Sequence, residues 1–259
     1  MIRMPSSAQS RRDSARAHRT EPDAADHAIR VILARVTSTD LVRIWPAAGV
    51  RARAGDLELR WADDDLLVAL ADIAAGGIHD EDQMPFAVPW TRGTPEEVAR
   101  AVVSYHWSIR PRVGPDELHL ELAVLENGDP VGIQGASGSD WRVLRKVQTG
   151  SWIGRAHQGR GVGTRMRVLM LALLFDGLGA REATSGAFVD NPASSAVSRK
   201  VGYADNGVVT VAREGEAVAH RNYLMTRERW LEVRERNIEL LGAPVELEGV
   251  EALRAMLDG

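Results

Sequence analysis

AHQGRGVGTRMR, residues 156–167, sets glycines at alternate positions (Gly159, Gly161, Gly163) and then runs unbroken into the apolar stretch VLMLALLF, residues 168–175. Glycine lets backbone amides approach a ligand with no Cβ in the way. The start of a helix carries unpaired N–H groups and about half a positive charge, which attract an anion. A bare turn into a buried helix therefore points to a phosphate without saying whose. A tight strand-to-helix turn with no ligand would use the same residues, and that bland reading stands beside the functional one.

Two other phosphate readings fit the spacing less well. A P-loop needs a lysine before the Ser/Thr, but Gly163 precedes Thr164 and no lysine follows. A dinucleotide fold needs G-x-G-x-x-G in an early βαβ unit, with an acidic residue about 20 positions on. Glu182 stands near that distance, yet the spacing here is G-x-G-x-G.

What precedes the loop is also wrong for a parallel nucleotide-binding sheet, which is built from βαβ crossovers. ELHLELAVL (117–125), PVGIQGASG (130–138) and KVQTGSWIGRAHQ (146–158) are extended stretches, the first two joined by the turn NGD (127–129). They predict an antiparallel meander. Farther upstream, GVRARAGDLELRW (49–61) reads as a hairpin. DDDLLVALADIAA (63–75) and TPEEVARAVVSYHWSIR (94–110) read as helices, the second with Thr94, Pro95 and Glu97 as a capping box. MPFAVPW (84–90) joins them as a Pro-punctuated loop.

Downstream, the leucine- and methionine-rich run 168–175 predicts a buried helix ending near Gly177 and Gly179. REATSGAF (181–188) is a strand. NPASSAVSRKVG is a short helix with Asn191 as N-cap, Pro192 at its first position and Gly202 closing it. On that helix Ala193, Val197 and Val201 form an expected apolar stripe, which places Ser194 and Ser198 at its rim. GVVTVAR (207–213) and AVAHRNYLMT (217–226) pair as a hairpin. RERWLEVRERNIELL and ELEGVEALRAML are terminal helices.

The 259 residues are 44% hydrophobic and 26% charged, an ordinary globular composition. With no cysteine, disulfides, thiolate metal sites and a cysteine nucleophile are excluded, and a reducing compartment, the cytoplasm, is expected. Residues 1–20 hold Arg3, Arg11, Arg12, Arg16 and Arg19 against Asp13, a net of +4, which leaves −8 on the rest of a chain whose total is −4. An acidic body argues against nucleic acid as a partner. Residues 1–27 read as a disordered basic tail with a faint likeness to a transit peptide. AIRVILARV (28–36) and DLVRIWP (40–46) are short apolar stretches, and no run reaches the ~18 residues of a membrane span. No metal site is expected.

QGRGVG, in Gln158, Gly161 and Gly163, resembles the Q/R-x-x-G-x-G/A signature of the GNAT superfamily of N-acetyltransferases. About thirty residues on, NPASSAVSRKVGY is similar to the second signature of that family, an Asn followed by Ser/Ala and closed by Gly202-Tyr203. The ending HRNYLMTRERW is similar to the ribosomal-protein N-terminal acetyltransferase branch, whose relatives include succinyl-CoA users. The resemblance covers roughly residues 45–235. It implies an α+β fold: a mixed, mostly antiparallel sheet with helices on both faces, splayed between the strands that flank the coenzyme-loop helix. Residues 1–27 would be the tail, 28–48 an N-terminal extension, 49–240 the acyltransferase domain and 241–259 a C-terminal helix.

The same resemblance implies acyl-CoA as cofactor, with acetyl or another short acyl group and succinyl allowed. Gln158, Gly159, Arg160, Gly161, Val162, Gly163 and Thr164 would hold the diphosphate, with Arg165 nearby. Trp152, Ile153 and Gly154 would supply a backbone N–H to the reacting carbonyl, and Asn191 and Ser194 would line the arm. Many family members place a tyrosine seven residues after the motif asparagine to protonate the leaving thiolate; Ser198 stands there instead, so Ser194 is the first candidate. That departure motivates the alternative of an acyl-CoA-binding module without turnover. The acceptor would be a primary amine on a small molecule or a peptide N-terminus, and a homodimer is allowed. An α-amine, with a pKa of about 7.7–8.0, needs only a weak base, whereas lysine near 10.4 needs a strong one. Glu182 is the first base candidate, then His220 and Asp140. The loop 84–90 would help wall the acceptor site.

Overall fold

The computed structural model describes residues 38–259; the basic tail 1–27 and the apolar stretch 28–36 lie outside the described residues. Among the described residues a nine-stranded sheet runs in the order β7-β8-β6-β5-β4-β3-β2-β1-β9. The strands are β1 (Arg51–Ala54), β2 (Leu57–Trp61), β3 (Glu117–Glu126), β4 (Asp129–Ser139), β5 (Lys146–Ile153), β6 (Glu182–Phe188), β7 (Ala204–Arg213), β8 (Glu216–Thr226) and β9 (Glu246–Glu248). Each neighbouring pair is antiparallel except β5 and β6. The expected meander is present as β3-β4-β5, and β2 of the expected upstream hairpin extends it by pairing with β3. Its sharpest corner follows from turn chemistry: Asn127 and Gly128 take φ of 55° and 88° between β3 and β4, as a two-residue hairpin turn requires.

Helices cover both faces. They are α1 (Ser38–Ile44), α2 (Asp64–Ala75), α3 (Pro95–Ile109), the single turn α4 (Trp141–Leu144), α5 (Val162–Ala172), α6 (Pro192–Lys200), α7 (Arg227–Glu239) and α8 (Val250–Asp258). Alternation on β3 sends Leu118, Leu120 and Leu122 to one face, where they share the main core with Met166, Leu169 and Leu173. On the other face Ala123, Leu125 and Ile133 meet Leu66, Leu67 and Leu70 of α2. The start of α3 is fixed by the predicted capping box: Glu97 N–H donates to Thr94 Oγ1 and Thr94 N–H donates to the Glu97 carboxylate, at 3.3 and 2.8 Å. The run after the glycine loop is helical as expected. It is buried nearly all round and closes through a π-turn, Leu173–Gly177.

Three expectations change. The third extended stretch ends at Ile153, and Arg155–His157 forms a 3-10 turn after Gly154 makes the last bond to β4. Segment 241–259 is more than a helix: β9 pairs with β1 (Ala52↔Leu247) and Leu253 and Leu257 of α8 are fully buried in the main core. Three residues are too few to show alternation, and the strand forms because β1 offers an open edge. Finally, α6 buries Ser195, Ser198 and Val201, while Ala193 is exposed and Val197 half-buried. The stripe is rotated because small serines pack as readily as alanine against a polar interior.

Candidate active site

The parallel pair β5-β6 is hydrogen-bonded only at its start, Lys146↔Glu182 through Gln148↔Thr184. Beyond it the strands part. β5 keeps its antiparallel ladder to β4 as far as Ile153↔Gly132, and β6 keeps its ladder to β8 as far as Phe188↔His220. The inner edges of residues 149–153 and 185–188 therefore face one another without pairing. Thr149 Oγ1 donates to Thr184 O at 2.9 Å and seals the closed end. Gly154 N–H is taken by Val131 O at 3.0 Å. By the alternation of an antiparallel ladder the amides of Trp152 and Gly154 turn toward β4, and those of Ser151 and Ile153 turn into the gap. Of the predicted trio only Ile153 offers its N–H there; Ser151 joins it.

The glycine loop stands at the mouth of this gap. Gly159 and Gly161 hold φ of 72° and 86°, and a Cβ at either would meet nothing within 4 Å. The first helical amides, of Thr164 and Arg165, donate to Gly161 O at 3.1 and 3.2 Å. The amides before them, Gly159 to Gly163, are left for an outside acceptor. A Cβ at Gly163 would lie 3.6 Å from Ile153 Cδ1 and 3.7 Å from Val197 Cγ2, so β5, α5 and α6 converge at that point. Gln158 does a structural job: its Nε2 donates to Ile78 O and Ile153 O at 2.6 and 2.8 Å, pinning the loop. Arg165 pairs with Asp56, and Arg160 with Glu126 at 2.6 Å, so both cations are already met by carboxylates of the hairpin ends.

On α6 the Asn191 side chain accepts from Ser194 N–H at 3.1 Å, as an N-cap should. Ser194 is half-buried. Ser198, one turn on, is 1% exposed, and its Oγ has no partner among the described residues. Tyr223 OH, on the same side of the sheet, is likewise buried and unpartnered.

The opposite face of the sheet carries an arrangement that the sequence did not reveal. Gly135 and Gly150 pair across β4 and β5, and Gly135 is obligatory because a Cβ there would collide with the Glu121 carboxylate. A Cβ at Gly150 would meet nothing within 4 Å. Burial pushes the Glu121 carboxyl up to about 8, and Tyr105 OH donates to it at 3.4 Å. Trp152 lies two residues beyond Gly150, with Trp90 at 5.9 Å and Phe86 at 5.2 Å from Trp90. The loop 84–92 crosses to the β7-β8 hairpin: Arg213 donates to Met84 O at 3.0 Å, and Arg92 meets Glu214 at 2.8 Å. His220 lies over Gly186, its ring 5.0 Å from Phe188 and its Nδ1 3.1 Å from Asn222 Oδ1. Glu182 is at the closed end of β5-β6, paired with Lys146 at 2.9 Å. Asp140 is beyond the end of β4, at the same closed end. Neither reaches the open part of the gap.

The profile of the acetyltransferase (GNAT) domain matches residues 56–204. The chain belongs to the GNAT acetyltransferase family. Solved structures share the fold. A GCN5-related N-acetyltransferase from Brucella melitensis aligns with TM-score 0.59 and 17% identity, over 74% of this chain and 85% of that one. Mycobacterium smegmatis RimJ, in complex with a CoA disulfide, gives 0.57 and 17% over 76% and 94%. RimL, a ribosomal L7/L12 alpha-N-protein acetyltransferase in complex with coenzyme A, gives 0.54 and 18% over 67% and 95%.

This GNAT chain is thus an acyl-CoA-dependent N-acyltransferase with an amine-bearing acceptor. Its residues fit that donor: unobstructed amides suit a diphosphate, and unpaired strand edges suit an amide-bearing arm. Among the described residues no group of His, Cys, Asp or Glu could hold a metal ion, and no helix is long and apolar enough to cross a membrane.

Proposed function

We propose that the gap between β5 and β6 is the acyl-CoA site and that the open space over Gly150, beside the Glu121 carboxylate, receives a primary amine, carried by a peptide N-terminus or a small molecule. The observation that carries this is the release of pairing beyond Gln148↔Thr184 with a bare amide loop at its mouth. The bound donor supplies a thioester. The 159–163 amides hold its diphosphate at the positive end of α5. The inward N–H groups of Ser151 and Ile153 receive the negative charge that develops on the carbonyl oxygen. Glu121, ionised above a pKa of about 8, takes the proton from the attacking amine across the open space over Gly150. Ser194, at the rim of α6, hydrogen-bonds the departing sulfur, with the Ser198 hydroxyl one turn deeper. His220, at the open end beside Phe188, borders the acceptor.

Glu121 displaces Glu182 as base because it is desolvated and unmatched by a cation, whereas Glu182 is held by Lys146. The acyl group and the acceptor are tested by calorimetry with coenzyme A and then by thiol release with a panel of acyl-CoAs, amines and N-terminal peptides. Absence of coenzyme binding overturns the site. Coenzyme binding without release on any acceptor would instead favour the non-catalytic module.

A further inference from the structure

Arg167 is the one feature of α5 that a helix buried on every side should not contain. It is 4% exposed. Its Nε donates to Gln134 Oε1 at 3.2 Å, Nη1 to Ser185 Oγ at 2.8 Å and Nη2 to Ser151 Oγ at 3.2 Å. All three acceptors are neutral, and among the described residues no carboxylate lies within ion-pair reach. Removing a cation from water costs several kcal/mol unless an opposite charge compensates it. The other core-facing position of this helix could have been filled by leucine, as Leu169 and Leu171 are.

The place matters as much as the charge. Gln134, Ser151 and Ser185 belong to β4, β5 and β6 in turn, so the guanidinium spans the opening just past the last paired residues. It forms the blind end of the gap on the α5 side. A donor arm that enters by the glycine loop brings its acyl end there. A methyl group would leave the guanidinium without a counter-charge. An acyl chain ending in a carboxylate would provide one, and a guanidinium keeps N–H donors beyond its present bonds for a charge-assisted pair.

From this uncompensated cation at the end of the gap we infer that the donor is an acyl-CoA whose chain ends in a carboxylate, and that Arg167 reads that carboxylate. This rests on the coenzyme reading above. In the transfer the amine nitrogen bonds to the thioester carbon, the C–S bond breaks, and the amine proton passes to the base and from there to the departing sulfur, which leaves as the thiol. The distal carboxylate is unchanged, so the acceptor exchanges a positive charge for a negative one.

The test is calorimetry on the full chain with coenzyme A, acetyl-CoA, butyryl-CoA and succinyl-CoA, followed by thiol release with the same donors. Succinyl-CoA is expected to bind at least about tenfold tighter than butyryl-CoA, its neutral counterpart in length, a difference of about 1.4 kcal/mol. Arg167→Met is expected to erase that preference while leaving coenzyme A affinity unchanged. Equal or weaker binding of succinyl-CoA to the unaltered protein overturns the inference, whether or not the variant folds. Loss of binding for every donor overturns the coenzyme site itself, which separates the two failures.

Discussion

At Glu121 a single carboxyl joins the proposed base role to stability. Its ordinary value of 4.5 is raised to about 8, with burial the largest cause. The folded protein therefore holds a proton on Glu121 between those values that the unfolded chain has released. The stability tied to that proton is fully present below pH 4.5 and is lost as pH rises through about 8. Catalysis needs the other form, so kcat/KM should climb through about pH 8. Glu121→Gln is expected to lower kcat about 100-fold, with coenzyme affinity unchanged and the rise through about pH 8 gone. Retention of that rise in the variant would transfer the base to another residue, with His220 next. Ser194→Ala should reduce kcat about tenfold at constant coenzyme Kd, a modest effect for one hydrogen bond of about 1.4 kcal/mol to the leaving sulfur. Wild-type turnover would take Ser194 out of the chemistry.

The strand-loop-helix unit β5-α5 was the most readable element, since glycine spacing and an uninterrupted apolar run both fix it locally. Gly161→Glu forces a side chain onto a backbone at φ 86°, and Gly163→Glu drives one toward Ile153 and Val197. Each should weaken coenzyme A binding at least tenfold while far-ultraviolet circular dichroism stays native, because nothing lies within 4 Å of a Cβ at Gly161 and only side-chain tips at ordinary contact distance face one at Gly163. Undiminished affinity in calorimetry would mean that the amides bind nothing. The meander, the capping box of α3 and the Asn191 cap were legible for the same reason: their signals span only a few residues. Glu121 was not. It sits on β3 in the pattern Glu117-His119-Glu121, which reads as an ordinary solvated face. Gly135, a strand away, leaves the room in which its carboxylate lies and Tyr105 of α3 covers it, and only the register of β3 on β4 brings Glu121 and Gly135 together. The face of α6 was misread because serine and alanine differ little in size, so periodicity gave the angle without the environment.

Across the whole molecule, the acceptor side is closed by long-range polar ties. Arg213 binds Asp190 at 2.6 Å, stacks 4.5 Å over Phe188 and holds Met84 O, so it joins the β7-β8 hairpin to the loop between α2 and α3. Arg213→Ala should speed amide exchange across residues 84–92 and raise the acceptor KM several-fold, with donor affinity unaltered. Unchanged exchange there would show that the aromatic contacts of Phe86 and Trp90 hold the loop unaided. Each parted strand is also secured along its outer side, β5 by β4 and β6 by β8. The slot therefore exists before any thioester arrives and does not have to be wedged open. Its occupation should follow simple second-order kinetics, with an observed rate linear in donor concentration and no slow isomerisation phase.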